Sequence, residues 1–117
     1  MTPKEIAEAA VKALDDKLGE NICLIATEKV TVVSDYFVIV NGNSNTHVKA
    51  LADEVEYALS QQGIEASHIE GKATGWILLD YGCVVIHVFT PEAREYYNLE
   101  KLWADGEVVD ISSLTED

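Results

Sequence analysis

The sequence predicts a single α/β or α+β domain built on a mixed β-sheet flanked by helices, and three observations lead there. Two stretches, one after Thr2 and one after Asn45, carry apolar residues at helical spacing. Four short runs, Ile22–Ala26, Tyr36–Val40, Trp76–Asp80 and Val84–Thr90, are rich in branched and aromatic residues, as strands are. The order helix, two strands, helix, further strands then needs one sheet covered by helices to bury both kinds of apolar surface. A length of 117 residues suits one such core, and folding should remove roughly two thirds of the unfolded chain's surface from water.

The elements follow from local chemistry. Thr2 as cap, Pro3 at the first helical position and Glu5 at the third announce a helix start. Ile6, Ala10, Leu14 and Leu18 recur every four residues, Ala9 and Ala13 widen the stripe, and Gly19 supplies a left-handed stop after about Leu18. The next two runs, Ile22–Ala26 and Tyr36–Val40, are bounded by Glu20-Asn21 and Asn41-Gly42 and read as buried strands. Lys29–Val33 between them is ambiguous. Asn43, Ser44 and Asn45 offer caps for a second helix, whose inner face is Val48, Leu51, Ala52, Val55 and Leu59 and whose end is Gly63. Lys49, Asp53 and Glu56 take its outer face. His68–Thr74 is a loop or a short edge strand. Trp76–Asp80 and Val84–Thr90 form a hairpin through Tyr81-Gly82-Cys83. Thr90-Pro91-Glu92 starts a short helix carrying Arg94, Tyr96 and Tyr97, with Leu99, Leu102 and Trp103 behind it. Residues 104–117 form an acidic, partly ordered tail that packs back in part and frays from Thr115.

Composition narrows the function classes. Hydrophobic residues at 48% and charged residues at 25% match globular proteins and argue against disorder, and no apolar run approaches the roughly 18 residues that span a bilayer. The N-terminal stretch lacks the basic start and apolar centre of a signal peptide, so a cytoplasmic protein is expected. A formal net charge of -13 opposes direct contact with a phosphate backbone and favours encounter with a basic protein surface, although charge alone does not exclude an acidic surface kept for solubility.

The chemistry-bearing residues do not assemble into a catalytic pattern. Cys23 and Cys83 lie in apolar runs without a thiol or histidine at metal-ligand spacing and read as buried reduced thiols. Gly42-Asn43-Ser44 between a strand and a helix echoes the phosphate-holding turn of nucleotidyltransferases. That transfer needs two metal ions held by clustered carboxylates, and the following strand supplies Asp80 alone, with Asp35 and Asp53 elsewhere. His47, His68 and His87 have no pairwise ligand spacing. His47 fits a cap or surface role, and His87, alternating with Val85 and Phe89, fits a hydrogen-bonded core or interface position. No catalytic residue, metal ligand or cofactor is expected.

What remains is binding. Along Trp76–Asp80, the side chains of Trp76, Leu78 and Asp80 share one face while Ile77 and Leu79 point to the other. The first set forms an apolar anchor with a charged rim, the layout of an interface. A strand buried on both sides by helices fits the same residues. The run WILLDYGCVVIHVFTPEAREYYNLEKLW from Trp76 to Trp103, together with SDYFVIVNGNSNTHVKALADEVE from Ser34 to Glu56, resembles the ribosomal silencing factor family, also called RsfS or Iojap. The resemblance spans nearly the whole chain, and its W-x-L-x-D-Y-G and E-x-L-W elements are specific.

The resemblance implies a nucleotidyltransferase-like fold, a homodimer and a non-enzymatic role. Such proteins bind the large ribosomal subunit at its protein L-fourteen and keep the small subunit from joining, which lowers translation under nutrient stress. Carried over by position, the contact surface comprises Trp76, Leu78, Asp80 and Tyr81, with Arg94, Tyr96 and Trp103 beside them. Trp76 and Leu78 would enter an apolar depression, and Asp80 would meet a basic side chain. Two positions depart from the family pattern: Cys83 stands where many relatives carry an acid, and Thr46 where many carry Arg. Two rivals stay open: a metal-dependent nucleotidyltransferase acting on a small substrate or RNA, and a dimeric adaptor that hides Trp76 in its own dimer.

Overall fold

The computed structural model describes residues 2–27, 35–71, 75–98 and 107–115. The first helix, α1 (Pro3–Asp16), begins as its sequence dictates: the Thr2 hydroxyl accepts from the Glu5 N–H and the Glu5 carboxylate accepts from the Thr2 N–H. Its buried stripe is broader than four-residue spacing suggests, because Ala7 and Val11 join Ile6, Ala10, Ala13 and Leu14.

The end of α1 differs from expectation. Leu18 lies outside the stripe, 78% exposed, and it takes the left-handed conformation (φ 63°) that Gly19 was expected to take. The reason is space. A Cβ on Gly19 would sit 2.8 Å from Val40 Cγ2 and 3.0 Å from the Leu14 carbonyl oxygen. Glycine is therefore needed where the chain turns against the core, and the left-handed turn falls one residue earlier, on a side chain that water can accommodate.

Strand β1 (Glu20–Ala26) starts earlier than its apolar run, with a register irregularity between Glu20 and Cys23 where Asn21 takes φ 53°. It pairs antiparallel with β2 (Tyr36–Asn41). Helix α2 (Asn45–Ser60) is capped by Ser44, and its buried residues are Val48, Leu51, Ala52, Val55 and Leu59, as the periodicity predicts. A short edge strand, β3 (His68–Glu70), precedes the hairpin of β4 (Trp76–Asp80) and β5 (Val84–Phe89). Gly82 turns the hairpin at φ 82° while the Asp80 carboxylate accepts its N–H at 2.7 Å. Helix α3 (Pro91–Tyr97) is capped by the Thr90 hydroxyl, and β6 (Glu107–Val109) brings the tail back onto β1. Lys29–Val33, Leu99, Leu102 and Trp103 lie outside the described residues.

The result is an α+β domain with a six-stranded sheet in the order β3-β4-β5-β2-β1-β6. β2 and β5 run parallel, and every other neighbouring pair is antiparallel. Helices α1 and α2 pack on one face and on each other, burying Leu14, Leu51, Leu59, Leu79 and Ile86. The opposite face carries a smaller cluster of Ile25, Phe37, Ile39, Val85 and Phe89, with α3 against β5.

The α1 terminus makes opposite demands on adjacent positions, so substitutions there should differ in sign. Leu18→Gly relieves the left-handed side chain and should stabilise by about 1 kcal/mol. Gly19→Ala drives a methyl group into Val40 and should cost about 1–3 kcal/mol. Urea unfolding midpoints of the two variants check this, and a stabilised Gly19→Ala would refute it.

Candidate functional site

The candidate site grows from the strand period of two. Along β4, Ile77 and Leu79 are buried toward α2, while Trp76, Leu78 and Asp80 are half-buried on the other face. Antiparallel register sets Trp76 opposite Phe89, Leu78 opposite His87 and Asp80 opposite Val85. The parallel register of β5 with β2 extends that face to Asn41, Ile39 and Phe37. The face is thus neither an open apolar platform nor a strand sealed on both sides. It is a second small core that ends, on the β4 side, at Trp76 and Leu78.

Aromatic rings hold this end together. The Trp76 ring lies 4.5 Å from Tyr97, 5.3 Å from Phe89 and 5.9 Å from His87, centroid to centroid, and His87 lies 5.1 Å from Phe37. The indole N–H of Trp76 donates to His87 Nδ1 at 3.2 Å. His87 is 4% exposed, and burial pushes its pKa down to about 4, so the ring is neutral at neutral pH. It therefore fills the hydrogen-bonded core role that its strand alternation predicts. Beside the indole, Trp76 and Leu78 line a concavity of about 450 Å³ with Glu70 and Gly71. Glu70 is cross-strand partner to Leu78, and its carboxylate lies 2.6 Å from His68 Nε2 at the exposed edge.

The structure gathers some of the expected contact residues and separates others. Trp76 and Leu78 share the concavity. Asp80 lies on the same face at the other end of the strand, with one carboxylate oxygen engaged by the Gly82 N–H. Tyr81 packs on the opposite face against the α1/α2 core. Its hydroxyl is buried with no partner among the described residues, and burial, followed by the charges of Glu56 and Glu65, pushes its pKa up to about 12. Arg94 points away from Trp76: its Nη1 donates to the Asn21 carbonyl and, at 3.0 Å, to Asn41 Oδ1, fastening α3 to the β1–β2 end. Tyr96 is 82% exposed, edge-on to Tyr97 at 5.0 Å. Trp103 lies outside the described residues.

Tyr97 and Glu70 are the residues that sequence reasoning missed. A signal for Tyr97 was available: it stands four residues after Ala93, which also packs on this cluster, and residues four apart share a helix face. Glu70 becomes a neighbour of Leu78 only once the β3–β4 register is known.

The nucleotide-binding pattern is not assembled among the described residues. The Asn43 N–H donates to His47 Nδ1 at 2.9 Å, and the Ser44 hydroxyl accepts from the His47 N–H at 3.1 Å. With Nδ1 accepting, His47 Nε2 donates to the Lys17 carbonyl at 2.8 Å and joins α2 to the end of α1. The Asn43 and His47 amides at the start of α2 are thus engaged internally. Because β4 runs antiparallel to β5 and β5 parallel to β2, Asp80 lies at the opposite end of the sheet from Gly42, roughly 17 Å along the strand direction. No three His, Cys, Asp or Glu side chains among the described residues are placed to share a metal ion. Cys23 and Cys83 are only half-buried, on opposite faces of the sheet, where full burial was expected.

A family model described as "Ribosomal silencing factor during starvation" matches residues 1–117. The chain belongs to the ribosomal silencing factor family. It is 42% identical over 112 residues to "Ribosomal silencing factor RsfS" of Bacillus subtilis, covering 95% of each chain. It is 39% identical over 115 residues to the protein of the same name from Halalkalibacterium halodurans, covering 97% of this chain and 98% of that one. A crystal structure of a Chromobacterium violaceum protein superposes with a TM-score of 0.86 at 38% identity, over 89% of this chain and 88% of the other. In this chain, W-x-L-x-D-Y-G thus encodes an apolar pair, a turn-forming acid and a core tyrosine on two faces.

Burial of His87 gives a pH prediction with a definite sign. The unfolded chain protonates this ring near pH 6.5 and the folded chain near 4, so acid favours unfolding. The contribution is complete above about pH 6.5 and falls by about 1.4 kcal/mol per pH unit until about pH 4. Between pH 7.5 and 5.5, urea unfolding of wild type should lose about 1 kcal/mol more than that of His87→Asn. Parallel losses in the two proteins would show that this histidine does not carry the dependence.

Proposed function

We propose that this ribosomal silencing factor is a non-catalytic translation repressor. It docks on the large ribosomal subunit through the protein L-fourteen and keeps the small subunit from joining. The single observation that carries the docking site is Trp76: an indole stacked on its own core, yet partly exposed where it forms, with Leu78, the apolar wall of a concavity. Large aromatic rings held in this way are the commonest binding hot spots, because the partner gains their area without paying to order them.

Charge supports the same reading. A formal net charge of -13 steers the chain toward a basic ribosomal protein and away from bare phosphate, so contact runs through protein. Glu70 at the concavity and Asp80 farther along the face supply an acidic rim. Tyr96 extends the aromatic surface beyond Tyr97. Tyr81 and Arg94 act by shaping the hairpin and fixing α3. A homodimer, where it forms, uses another surface and leaves Trp76 open. The setting is the cytoplasm, where the ribosomes are.

Co-sedimentation with purified large subunits tests the proposal. Wild type should pellet with them, and Trp76→Ala should bind at least about thirtyfold more weakly, a loss of about 2 kcal/mol or more. Light scattering should give the same mass for both proteins. Wild-type protein that stays in the supernatant would sink the proposal, and a dimer lost with Trp76 would favour the self-association reading.

A further inference from the structure

We infer that His87 is a positioning residue for Trp76: it draws the indole N–H inward, leaves only hydrocarbon facing the docking partner, and so requires an apolar partner surface there. The inference rests on the docking role proposed above and specifies its chemistry. An indole has one polar atom, the N–H, and it can only donate. That atom lies 3.2 Å from His87 Nδ1, inside the protein, so the part of the ring that walls the concavity is carbon.

The geometry behind this is a diagonal across the hairpin. Trp76 pairs with Phe89, and His87 stands two residues earlier on β5, within reach of a long aromatic side chain. Phe89 stacks on the ring and Tyr97 packs against it at a tilt, but such contacts fix its plane and leave open the flip about the Cβ–Cγ bond that would turn the N–H to the other side. The hydrogen bond supplies the missing restraint.

His87 can play this part only when neutral, because a cation would present a second donor to the indole. Its surroundings enforce neutrality. The groups facing it are Phe37 and Ile39 from β2, Trp76 and Leu78 from β4 and Phe89 from its own strand. From α3, Tyr97 reaches the same cluster across Trp76 and Phe89, and none of these side chains is charged at neutral pH. With Nδ1 accepting, the proton sits on Nε2, which is buried without a partner among the described residues. A buried donor left unpaired is unfavourable, and a leucine would pack there without that cost. Accepting the Trp76 proton is what distinguishes histidine from leucine at this position.

Full-length wild type, His87→Leu and His87→Asn distinguish this from a packing role, since asparagine places an acceptor near the position of Nδ1 and leucine has none. Hydrogen exchange of the Trp76 indole N–H is followed by nuclear magnetic resonance, its signal identified by its absence from Trp76→Phe. Exchange should be slow in wild type, faster in His87→Leu and slow again in His87→Asn. Affinity for purified large subunits should fall about fivefold in His87→Leu and recover in His87→Asn. Exchange that is unchanged in His87→Leu, or equally fast in both variants, overturns the positioning role. Equal or tighter binding by His87→Leu is the behaviour of a partner that itself accepts the indole proton, and it overturns the partner chemistry. If wild type does not bind the subunit, the docking reading falls and the partner chemistry with it, while the exchange series still decides whether His87 holds the ring.

Discussion

The structure depends on covering β5 twice. Every residue of Val84–Phe89 is buried, so the strand at the centre of this sheet needs apolar partners on both faces. Helices α1 and α2 cover one face through the regular stripe on each helix. The other face has a smaller cover, and His87 lies within it. Burying a histidine among Phe37, Trp76 and Phe89 makes the charged form unfavourable, which fixes both its protonation and its role as acceptor.

The candidate docking surface is a consequence of that arrangement. Strand β4 lies beside β5 toward the edge of the sheet, where cover becomes incomplete, so Trp76 and Leu78 belong to the second cluster and to the surface together. An interface residue of this kind is preorganised: the rings of Phe89 and Tyr97 hold it before any partner arrives. The same dual membership ties binding to stability, because truncating Trp76 opens the cluster as well as the surface.

The turn at Gly42–Ser44 shows how a nucleotide-binding pattern can be given over to structure. A strand feeding a helix through Gly-Asn-Ser has the outline of an anion site. Here His47 accepts the Asn43 N–H and donates to the Lys17 carbonyl, so the same groups join the start of α2 to the end of α1. A Cβ on Gly42 would lie 3.1 Å from that imidazole, so the glycine serves close packing where a phosphate-binding turn would need open amides.

The sequence by itself determined the local elements and their inward faces. The Thr2 capping box, the five buried positions of α2, the alternation of β4 and the Gly82 turn follow from interactions within a few residues, which composition and spacing encode directly. The family was legible for the same reason, since its motifs are contiguous. What only the tertiary structure decided are pairings between distant segments. Leu18 rather than Gly19 took the left-handed turn because Val40, twenty-one residues on, leaves no room for a Cβ. Tyr81 turned to the helix side, Arg94 reached back to Asn21 and Asn41, and Trp76 found His87, because strand order and register set which side chains meet. Spacing along one strand fixes which face a side chain takes. What lies across from it depends on a neighbouring strand whose register no local rule supplies.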